Sequence, residues 1–537
     1  MNDNFSDQQT IRKPAVFSGS GIVAAQHRLA AQAGAAVLAA GGDCVDAVIA
    51  TSFALGVVEP WMSGIGGGGT MVLYRARERR FEVIDFGMRS PVSLRAADYA
   101  LSGEDAASDL FPWPRVRDDR NLHGPLSVAV PGVVAGMEAA HQRHARLPWR
   151  DLVAPAVALA GEGLLVDWYT TELVASGAPD LRRYAASRDR FLVDGLPPVA
   201  MWGIKNEVRL HQAALRDTLG QLAEHGPRAF YEGALAQRIA ADMRAAGGCL
   251  MAADLASYRA RVVDPLVIDY AGGKVHATPE LTAGPTLAHV LHLLAQSQAL
   301  GAGSAPDARA YAVYADALQV AYRERLKGMG DADGRRALGA EHRAPSCTSH
   351  FSVVDGEGNM AAVTQTLLSM FGSKFVLPDT GILMNNGIMW FDPVAGGPNS
   401  LAPDRRCLCN YTPVIATDKC GRMLALGASG GRRILPAVAQ VLSFTMDYGM
   451  GLDAAFHTPR IDASEGATVI GDVRMPADVR AELGRRYDYR EARVQTMPMK
   501  FACPSAVMHS GDDRSARFSG ATETMHPWAD AVAAGAS

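Results

Sequence analysis

The segment that begins at Thr348 constrains the fold of this chain more than any other. Hydrophobic and polar residues alternate in His350–Val354, Asp355–Asn359 has the composition of a hairpin turn, and Met360–Leu367 alternates again. Alternation with a period of two residues on both sides of a tight turn is typical of paired antiparallel strands. A polar stretch, residues 331–347, comes before them, and we expect it to be exposed and open to cleavage. The sequence therefore predicts a strand pair that starts directly behind a cleavable loop.

Hydrophobic periodicity predicts a mixture of helices and strands in the rest of the chain. Apolar residues recur at helical spacing from Gly21 to Ala40, and Asp43 is placed to cap a second helix that runs through Phe53. A strand hairpin is predicted over 70–74 and 81–86. Further predictions are helices at 133–144, 149–162, 208–225, 234–246, 286–300 and 433–446, strands at 265–270, 381–384 and 423–426, and a frayed tail after Asp530.

The composition favours a compact protein of mixed helix and strand and excludes several classes of partner. The chain has 537 residues, 48% of them hydrophobic, and its 52 Lys and Arg stand against 56 Asp and Glu. A cationic surface that neutralises phosphates is therefore not encoded, and nucleic acid is not expected as a partner. No uncharged apolar run reaches 18 residues, so no association with a membrane is expected.

Cysteine usage and the N-terminal residues favour a reducing compartment. Seven cysteines in a chain of this length are too scattered for a disulfide framework, and the first nine residues carry two acids and no apolar core. We therefore expect a cytoplasmic protein. Cys407, Cys409 and Cys420 lack both C-x2-C spacing and a nearby histidine, which favours buried thiols over a metal site. We expect neither a metal nor another cofactor.

The run Gly64-Ile65-Gly66-Gly67-Gly68-Gly69 satisfies the dinucleotide-binding pattern G-x-G-x-x-G. That motif holds a pyrophosphate only where a strand precedes it and the N-terminus of a helix follows it. Here a helix is predicted before the glycines and a strand after them. Close approach of neighbouring backbones is therefore favoured over nucleotide binding.

Thr348 occupies the position that an N-terminal nucleophile requires. A threonine hydroxyl is a weak nucleophile, but cleavage of the preceding peptide bond would give the same residue an α-amine that acts as its base. Farther along, Gly430 and Gly431 follow a predicted strand, where two N–H groups are able to hold a developing oxyanion. From spacing alone, an ordinary strand threonine and an ordinary strand-to-helix turn remain alternatives.

Six segments in combination resemble the γ-glutamyltransferase family (γ-glutamyltranspeptidase, glutathione hydrolase) of N-terminal-nucleophile hydrolases. The resemblance extends over nearly the whole chain, and its segments are 21–24 with 41–47, 66–69, 127–132, 348–355, 381–386 and 427–431. It implies an α+β fold, a four-layer αββα sandwich. It also implies an inactive precursor that cuts itself into a large part, residues 1–347, and a small catalytic part, residues 348–537, which stay together in one fused domain.

The resemblance also assigns roles in the reaction. Thr348 attacks the carbonyl of Cys347 during self-cleavage and the acyl carbonyl of the substrate afterwards. Thr366, eighteen residues later, is expected to orient it, and Gly430 and Gly431 are expected to stabilise the oxyanion. The substrate is then a small amide or γ-glutamyl compound, water or an amine is the acceptor, and the two fragments form a heterodimer.

The chain departs from the family where the family grips the glutamyl α-carboxylate and α-amine. The arginine of the family's F-R-E-x-A-P stretch falls on Gly87, which leaves only a displaced Arg89. An asparagine two residues after Thr366 is replaced by Leu368, and the serine pair that binds carboxylate becomes Cys409-Asn410.

A further departure lies in the family's N-N-Q-M-D-D segment. Its glutamine and second aspartate fall on Gly387 and Trp390, whereas Asn386 is retained. Each lost charge-assisted hydrogen bond is worth about 1.5–3 kcal/mol, so the loss of several should abolish tight selection for γ-glutamyl groups. The predicted acyl pocket is apolar, with Leu368, Trp390 and Cys409 in place of charged and amide groups.

The sequence thus predicts a self-processing threonine amidohydrolase or acyltransferase with a non-glutamyl or relaxed acyl specificity. Two alternatives remain. One is a true γ-glutamyl transferase or glutathione hydrolase, and the other is a family member that never matures and has no catalytic activity.

Overall fold

The structure is a computed structural model that describes residues 10–104, 113–200, 207–328, 346–493, 498–511 and 517–535. The predicted cleavable loop, from residue 331 to 345, lies outside the described residues.

The strands of the described residues carry the labels used below. They are β1 Val16–Ser18, β2 Gly21–Ala25, β3 Gly68–Arg75, β4 Arg80–Phe86, β5 Leu164–Leu165, β6 Arg209–Leu210, β7 Arg261–Val263, β8 Leu266–Tyr270, β9 Gly273–Ala277, β10 Ser346–Asp355, β11 Met360–Ser369, β12 Val414–Thr417, β13 Met423–Ser429, β14 Ile461–Glu465, β15 Thr468–Asp472, β16 Asp488–Ala492, β17 Cys503–His509, β18 Phe518–Thr522 and β19 Asp530–Ala533.

The α-helices are labelled in the same way. They are α1 Arg28–Ala39, α2 Cys44–Val58, α3 Val133–His144, α4 Trp149–Glu162, α5 Trp168–Leu181, α6 Ala185–Phe191, α7 Ala213–His225, α8 Gly233–Ala245, α9 Ala252–Ser257, α10 Gly284–Ala295, α11 Ala308–Gly328, α12 Ile434–Met446, α13 Leu452–His457 and α14 Ala477–Arg486.

Two antiparallel sheets of seven strands form the centre of the molecule. The first sheet has the order β1-β18-β17-β13-β12-β9-β8, and the second has the order β19-β2-β10-β11-β3-β4-β7. Strand β10 therefore lies inside the second sheet, between β2 and β11. Both sheets contain strands from before and from after residue 347.

Hydrophobic contacts arrange these elements in four layers. Small and branched side chains of both sheets pack against one another, among them Ile22, Ala362 and Val507. Helices α1 to α4, α7 and α8 cover the outer face of the second sheet. Helices α10 to α14 cover the outer face of the first sheet. This is the αββα sandwich that the resemblance implies, and the predicted fold class is confirmed.

Several local predictions are confirmed. The predicted strand pairs appear as β3 with β4 and β10 with β11. Helix α2 begins with a capping box in which the Asp43 side chain accepts hydrogen bonds from the N–H groups of Val45 and Asp46. Its residues are buried all round, because it lies between the sheet and other helices of its layer.

Several local predictions are wrong. The expected helix over 21–40 is strand β2 followed by α1, because β2 is a central strand that is apolar on both faces and resembles a buried helix in its pattern. The expected strand at 381–384 is an irregular segment with a single bridge between Val376 and Leu383. The tail after Asp530 is not frayed, because β19 pairs with β2. Among the cysteines, Cys407 and Cys409 are buried as expected, whereas Cys420 is exposed.

Candidate active site

Thr348 lies near the beginning of β10 and is only 5% exposed. Its hydroxyl group donates a hydrogen bond to the carbonyl oxygen of Cys347 at 2.7 Å and lies 3.2 Å from the hydroxyl oxygen of Thr366. The Thr366 hydroxyl donates to the same carbonyl oxygen at 2.6 Å. Both hydroxyl groups therefore lie against the peptide bond that self-cleavage would break.

An irregularity of the sheet brings Thr366 to this place. Cys347 is opposite Leu368, but beyond Thr348 the register of β10 and β11 shifts by one residue. Such a bulge leaves two residues of one strand opposite one of the other and re-aims their side chains. Leu368 has a φ of 90°, and its N–H donates to the Thr366 hydroxyl at 2.8 Å. This hydrogen bond holds a leucine in a conformation that such residues rarely adopt.

The glycine run packs directly behind the bulge. A Cβ atom on Gly67 would lie 2.3 Å from the carbonyl oxygen of Thr366, and one on Gly66 would lie 2.2 Å from that of Leu383. These distances are shorter than any real side-chain contact, so the backbones approach this closely only because both residues are glycines. The predicted role of the glycine run is confirmed at these positions.

Gly430 and Gly431 form the turn between β13 and α12. Their φ angles are 129° and 60°, in the region that favours glycine. The helical turn that Gly431 begins packs against β10. Gln26 ties the two parts together, because its side-chain amide donates to the Ser429 hydroxyl at 2.6 Å and its side-chain oxygen accepts from the His350 N–H at 2.7 Å. The structure thus brings the turn up to the strand that carries Thr348.

Leu368, Trp390 and Cys409 lie in one apolar cluster, although they are separated by up to 41 positions of the chain. This cluster also contains Met88 and Tyr411, and each of the three predicted residues is at most 4% exposed. The Trp390 and Tyr411 rings are 5.4 Å apart between their centroids. Since Leu368 is opposite Cys347 and two residues from Thr366, the cluster adjoins the predicted nucleophile Thr348, and we call it the acyl-pocket cluster.

Asn386 and Gly387 support this cluster from behind. The fully buried Asn386 amide group donates to the Ser369 hydroxyl at 2.7 Å and to the Leu122 carbonyl at 3.0 Å. A Cβ atom on Gly387 would lie 2.8 Å from that of Ala129. The described contacts of Asn386 are therefore all within the protein, and its predicted contact with substrate stays a prediction.

The two remaining predicted residues are held by other side chains. The Arg89 guanidinium donates to the Ser257 hydroxyl at 2.7 Å and lies 3.2 Å from the Asp404 carboxylate. Asn410 accepts a hydrogen bond from buried Arg325 at 3.2 Å, and its amide nitrogen has no hydrogen-bond partner among the described residues. The Arg89 guanidinium, which would have to pair with a substrate carboxylate, is therefore paired with Asp404 and does not lie in the acyl-pocket cluster.

Sequence reasoning missed a buried lysine beside the site. The Lys374 ammonium donates to the Ser369 hydroxyl and to the Gly372 carbonyl, both at 2.9 Å. Burial lowers the pKa of Lys374 to about 8, and the Cys347 thiol is among the groups that interact with it electrostatically. Lys374 and Gln26 carry no local motif, so only their contacts in the fold identify them.

Two stacked antiparallel sheets between helical layers, with a threonine hydroxyl against its own preceding peptide on an inner strand, define the fold class of the N-terminal-nucleophile hydrolases. Within that class, the family model described as gamma-glutamyltranspeptidase matches residues 30–339 and 334–527. The chain belongs to the γ-glutamyltranspeptidase family, whose members are hydrolases and acyltransferases.

Relatives with two kinds of names resemble this chain. The acylase ACY 1 proenzyme of Pseudomonas sp. strain V22 is 32% identical over 87% of this chain and 86% of its own. The glutathione hydrolase proenzyme of Bacillus subtilis strain 168 is 29% identical over 86% of this chain and 84% of its own length. Among solved structures, a cephalosporin acylase from Bacillus halodurans superposes with a TM-score of 0.84 at 25% identity and covers 99% of both chains.

Proposed function

We propose that this protein is a self-processing threonine amidohydrolase that removes an acyl group lacking the zwitterionic head of glutamate. The observation that carries the proposal is the acyl-pocket cluster, in which Leu368, Trp390 and Cys409 stand together beside the nucleophile. The acylases among the relatives support the same choice.

Self-cleavage is the first step of the proposed mechanism. The Thr348 hydroxyl oxygen attacks the carbonyl carbon of Cys347, the C–N bond breaks, and the amine of Thr348 takes up the hydroxyl proton. Water then hydrolyses the resulting ester, which leaves a carboxylate on Cys347 and a free N-terminal threonine. The contact of the Thr348 hydroxyl with that carbonyl oxygen, at 2.7 Å, supports this step.

Turnover reuses the same hydroxyl group. The free α-amine of Thr348 accepts the hydroxyl proton while the oxygen attacks the acyl carbonyl, and it then gives the proton to the leaving amine. The N–H groups of Gly430 and Gly431 hold the oxyanion, and Thr366 keeps the Thr348 hydroxyl in place. Water, or an amine acceptor, finally releases the acyl group from Thr348.

The acyl-pocket cluster explains the proposed selectivity. A zwitterionic glutamyl head would lose its hydration on entering an apolar cluster and gain few hydrogen bonds in return. The Arg89 guanidinium, which is paired with Asp404, does not compensate for this loss. An apolar acyl chain has no such desolvation cost and gains contact with Trp390.

The test compares anilides that differ only in their acyl group. Purified protein is assayed with γ-glutamyl-p-nitroanilide and with aliphatic and aryl-acyl p-nitroanilides, and a Thr348→Ala variant measures the background. We expect kcat/KM for the best apolar anilide to exceed that for the γ-glutamyl anilide at least tenfold. Strong turnover of the γ-glutamyl compound alone would instead favour a glutathione hydrolase, the second candidate, which the Bacillus subtilis relative supports.

A matched variant and a gel complete this test. Leu368→Asn restores the amide that the resemblance predicts, and asparagine tolerates the φ of 90° better than leucine does. We expect it to lower the ratio of apolar to γ-glutamyl turnover. Denaturing electrophoresis shows whether a fragment that starts at Thr348 forms. A persistent full-length band without turnover would favour a family member with no catalytic activity.

A further inference from the structure

A buried carboxyl group approaches the nucleophilic strand from the side of the helices. Glu59 directly follows α2, and its side chain is fully buried. Its Oε2 atom accepts a hydrogen bond of 2.7 Å from the hydroxyl of Ser349, the residue bonded to Thr348. Because consecutive residues of a strand point to opposite faces, Glu59 holds β10 from the face opposite to the Thr348 hydroxyl.

A chain of hydrogen bonds points toward this carboxyl group. The side-chain amide of Gln365 donates to the Ser63 hydroxyl at 3.1 Å, and Ser63 donates to the Ser349 hydroxyl at 3.0 Å. Ser349 in turn donates to Glu59. Each hydroxyl proton is used in one of these hydrogen bonds, so every donor points toward the next acceptor and the last acceptor is the Glu59 oxygen.

The second oxygen of Glu59 faces a histidine. His526 is fully buried, and its Nδ1 accepts from the N–H groups of Trp528 and Ala529 at 3.3 and 3.1 Å. This arrangement leaves the ring proton on Nε2, which lies 3.8 Å from Glu59 Oε1. Within the part of the chain that the structure describes, neither of these two atoms has a hydrogen-bond partner. Such a pair of unpartnered buried atoms requires an explanation.

We propose that Glu59 is a positioning residue that acts on the Thr348 amine through Ser349. The charge state of Glu59 decides whether this amine is able to serve as a base. This inference rests on the proposed function, since it concerns the same nucleophile. The inference adds Glu59 to the site, a residue that lies 289 positions from Thr348 in sequence and has no described contact with Thr348 itself.

The charge of Glu59 determines the sign of the effect. Burial raises the pKa of Glu59 to about 8, so the carboxyl group is neutral at pH 7. An ionised Glu59 would stabilise the ammonium form of the nearby amine and oppose the negative charge that develops during attack. Deprotonation of the Thr348 amine itself raises activity over the same range. Relative to an enzyme whose residue 59 cannot ionise, activity should therefore fall as pH rises through about 8.

Four of the other titratable groups around Glu59 are neutral in this range. Burial raises the pKa of the Cys347 and Cys503 thiols and of the Tyr169 phenol, and it lowers the pKa of His526. Lys13 lies beyond His526, with its ammonium group on the His526 carbonyl oxygen. Lys374, which acts on Cys347, titrates near the same pH, so variants are needed to assign the effect.

The test measures self-cleavage and kcat/KM from pH 5 to 10 with the best anilide. Glu59→Gln keeps the acceptor for Ser349 but cannot ionise, so we expect near-normal cleavage at pH 7 and no decline above pH 8. The ratio of wild-type to Glu59→Gln kcat/KM should fall on the order of tenfold between pH 7 and 9.5. Glu138→Gln is the matched control, because Glu138 is a buried carboxyl on α3 with a raised pKa and should leave the profile unchanged.

A second variant covers the case in which Glu59→Gln does not fold. The Ser349 hydrogen bond lowers the pKa of Glu59, so Ser349→Ala should move the alkaline decline to higher pH. An active Glu59→Gln enzyme with the wild-type profile, or an unmoved decline in Ser349→Ala, would overturn the inference. Neither result would touch the proposed function, which fails only if the wild type does not cleave itself or turn over any anilide.

Discussion

At the scale of single residues, the Thr366 hydroxyl joins three groups of the site. It donates to the Cys347 carbonyl at 2.6 Å, accepts from the Leu368 N–H at 2.8 Å and lies 3.2 Å from the Thr348 hydroxyl. Its removal leaves a buried N–H without a partner, which costs about 1–3 kcal/mol. One side chain thus contacts the Thr348 hydroxyl, the Cys347 carbonyl and the strained Leu368.

We therefore expect Thr366→Ala to slow self-cleavage at least tenfold and to lower the free energy of unfolding by about 1–3 kcal/mol. Thr366→Ser keeps the hydroxyl and is the matched control, which should cleave at nearly the wild-type rate. The rate is measured as the appearance of the fragment that begins at Thr348 on denaturing gels. Equal rates for the alanine variant and the wild type would show that Thr366 does not orient Thr348.

At the scale of elements, the bulge in β11 depends on the glycine run before β3. The Thr366 carbonyl lies where a Cβ atom of residue 67 would be, 2.3 Å away. Strand β11 can hold its bulged register only while this side of it is free of side chains. The geometry around Thr348, the predicted nucleophile, therefore depends on a segment that contains none of the predicted reacting groups.

We expect Gly67→Ala to lower kcat at least a hundredfold, because the clash moves Thr366 away from Thr348. Overpacking of this kind costs about 1–3 kcal/mol of stability. Gly220→Ala is the control, since a Cβ atom there meets nothing within 4 Å in the middle of α7. That change should leave activity intact and stabilise the helix by about 0.5–1 kcal/mol. Thermal unfolding and steady-state kinetics measure both variants, and a fully active Gly67→Ala enzyme would contradict this account.

At the scale of the whole molecule, the two predicted fragments share both central sheets. Strand β10 lies between β2 and β11, and β11 pairs with β3 on its other side. Separation of residues 1–347 from 348–537 would break the pairing of β10 with β2 and the pairing of β11 with β3. It would also expose the apolar layer between the sheets. A cut before Thr348 would therefore create two new chain ends and leave the strand pairing and the apolar core in place.

We accordingly expect the cleaved protein to elute as one species in size-exclusion chromatography under native conditions. Denaturant should separate the fragments only at concentrations that also unfold the sheets, as followed by circular dichroism. The uncut Thr348→Ala protein is the control for elution volume. Release of a folded fragment without loss of sheet signal would show that the two parts are separate domains.

Much of the fold and of the site could be predicted from local patterns. The alternation in β10 and β11 and the cap at Asp43 could be predicted because each depends on neighbours within a few residues. The four-layer fold class followed from the resemblance of six segments to a known family. The same reasoning failed for β2 and β19. A strand buried on both faces has no alternation, and an edge strand made of small residues has no apolar run.

The sequence by itself determined which threonine is the predicted nucleophile and which positions of the predicted acyl pocket carry no charged side chain. Only the tertiary structure decided what surrounds them: the bridge that Gln26 makes between His350 and Ser429, and the approach of Glu59 to Ser349. These partners are hundreds of positions apart in the chain. Periodicity and caps report on atoms one or two turns away, whereas hydrogen bonds between distant elements exist only after the two sheets and their helical layers have packed together.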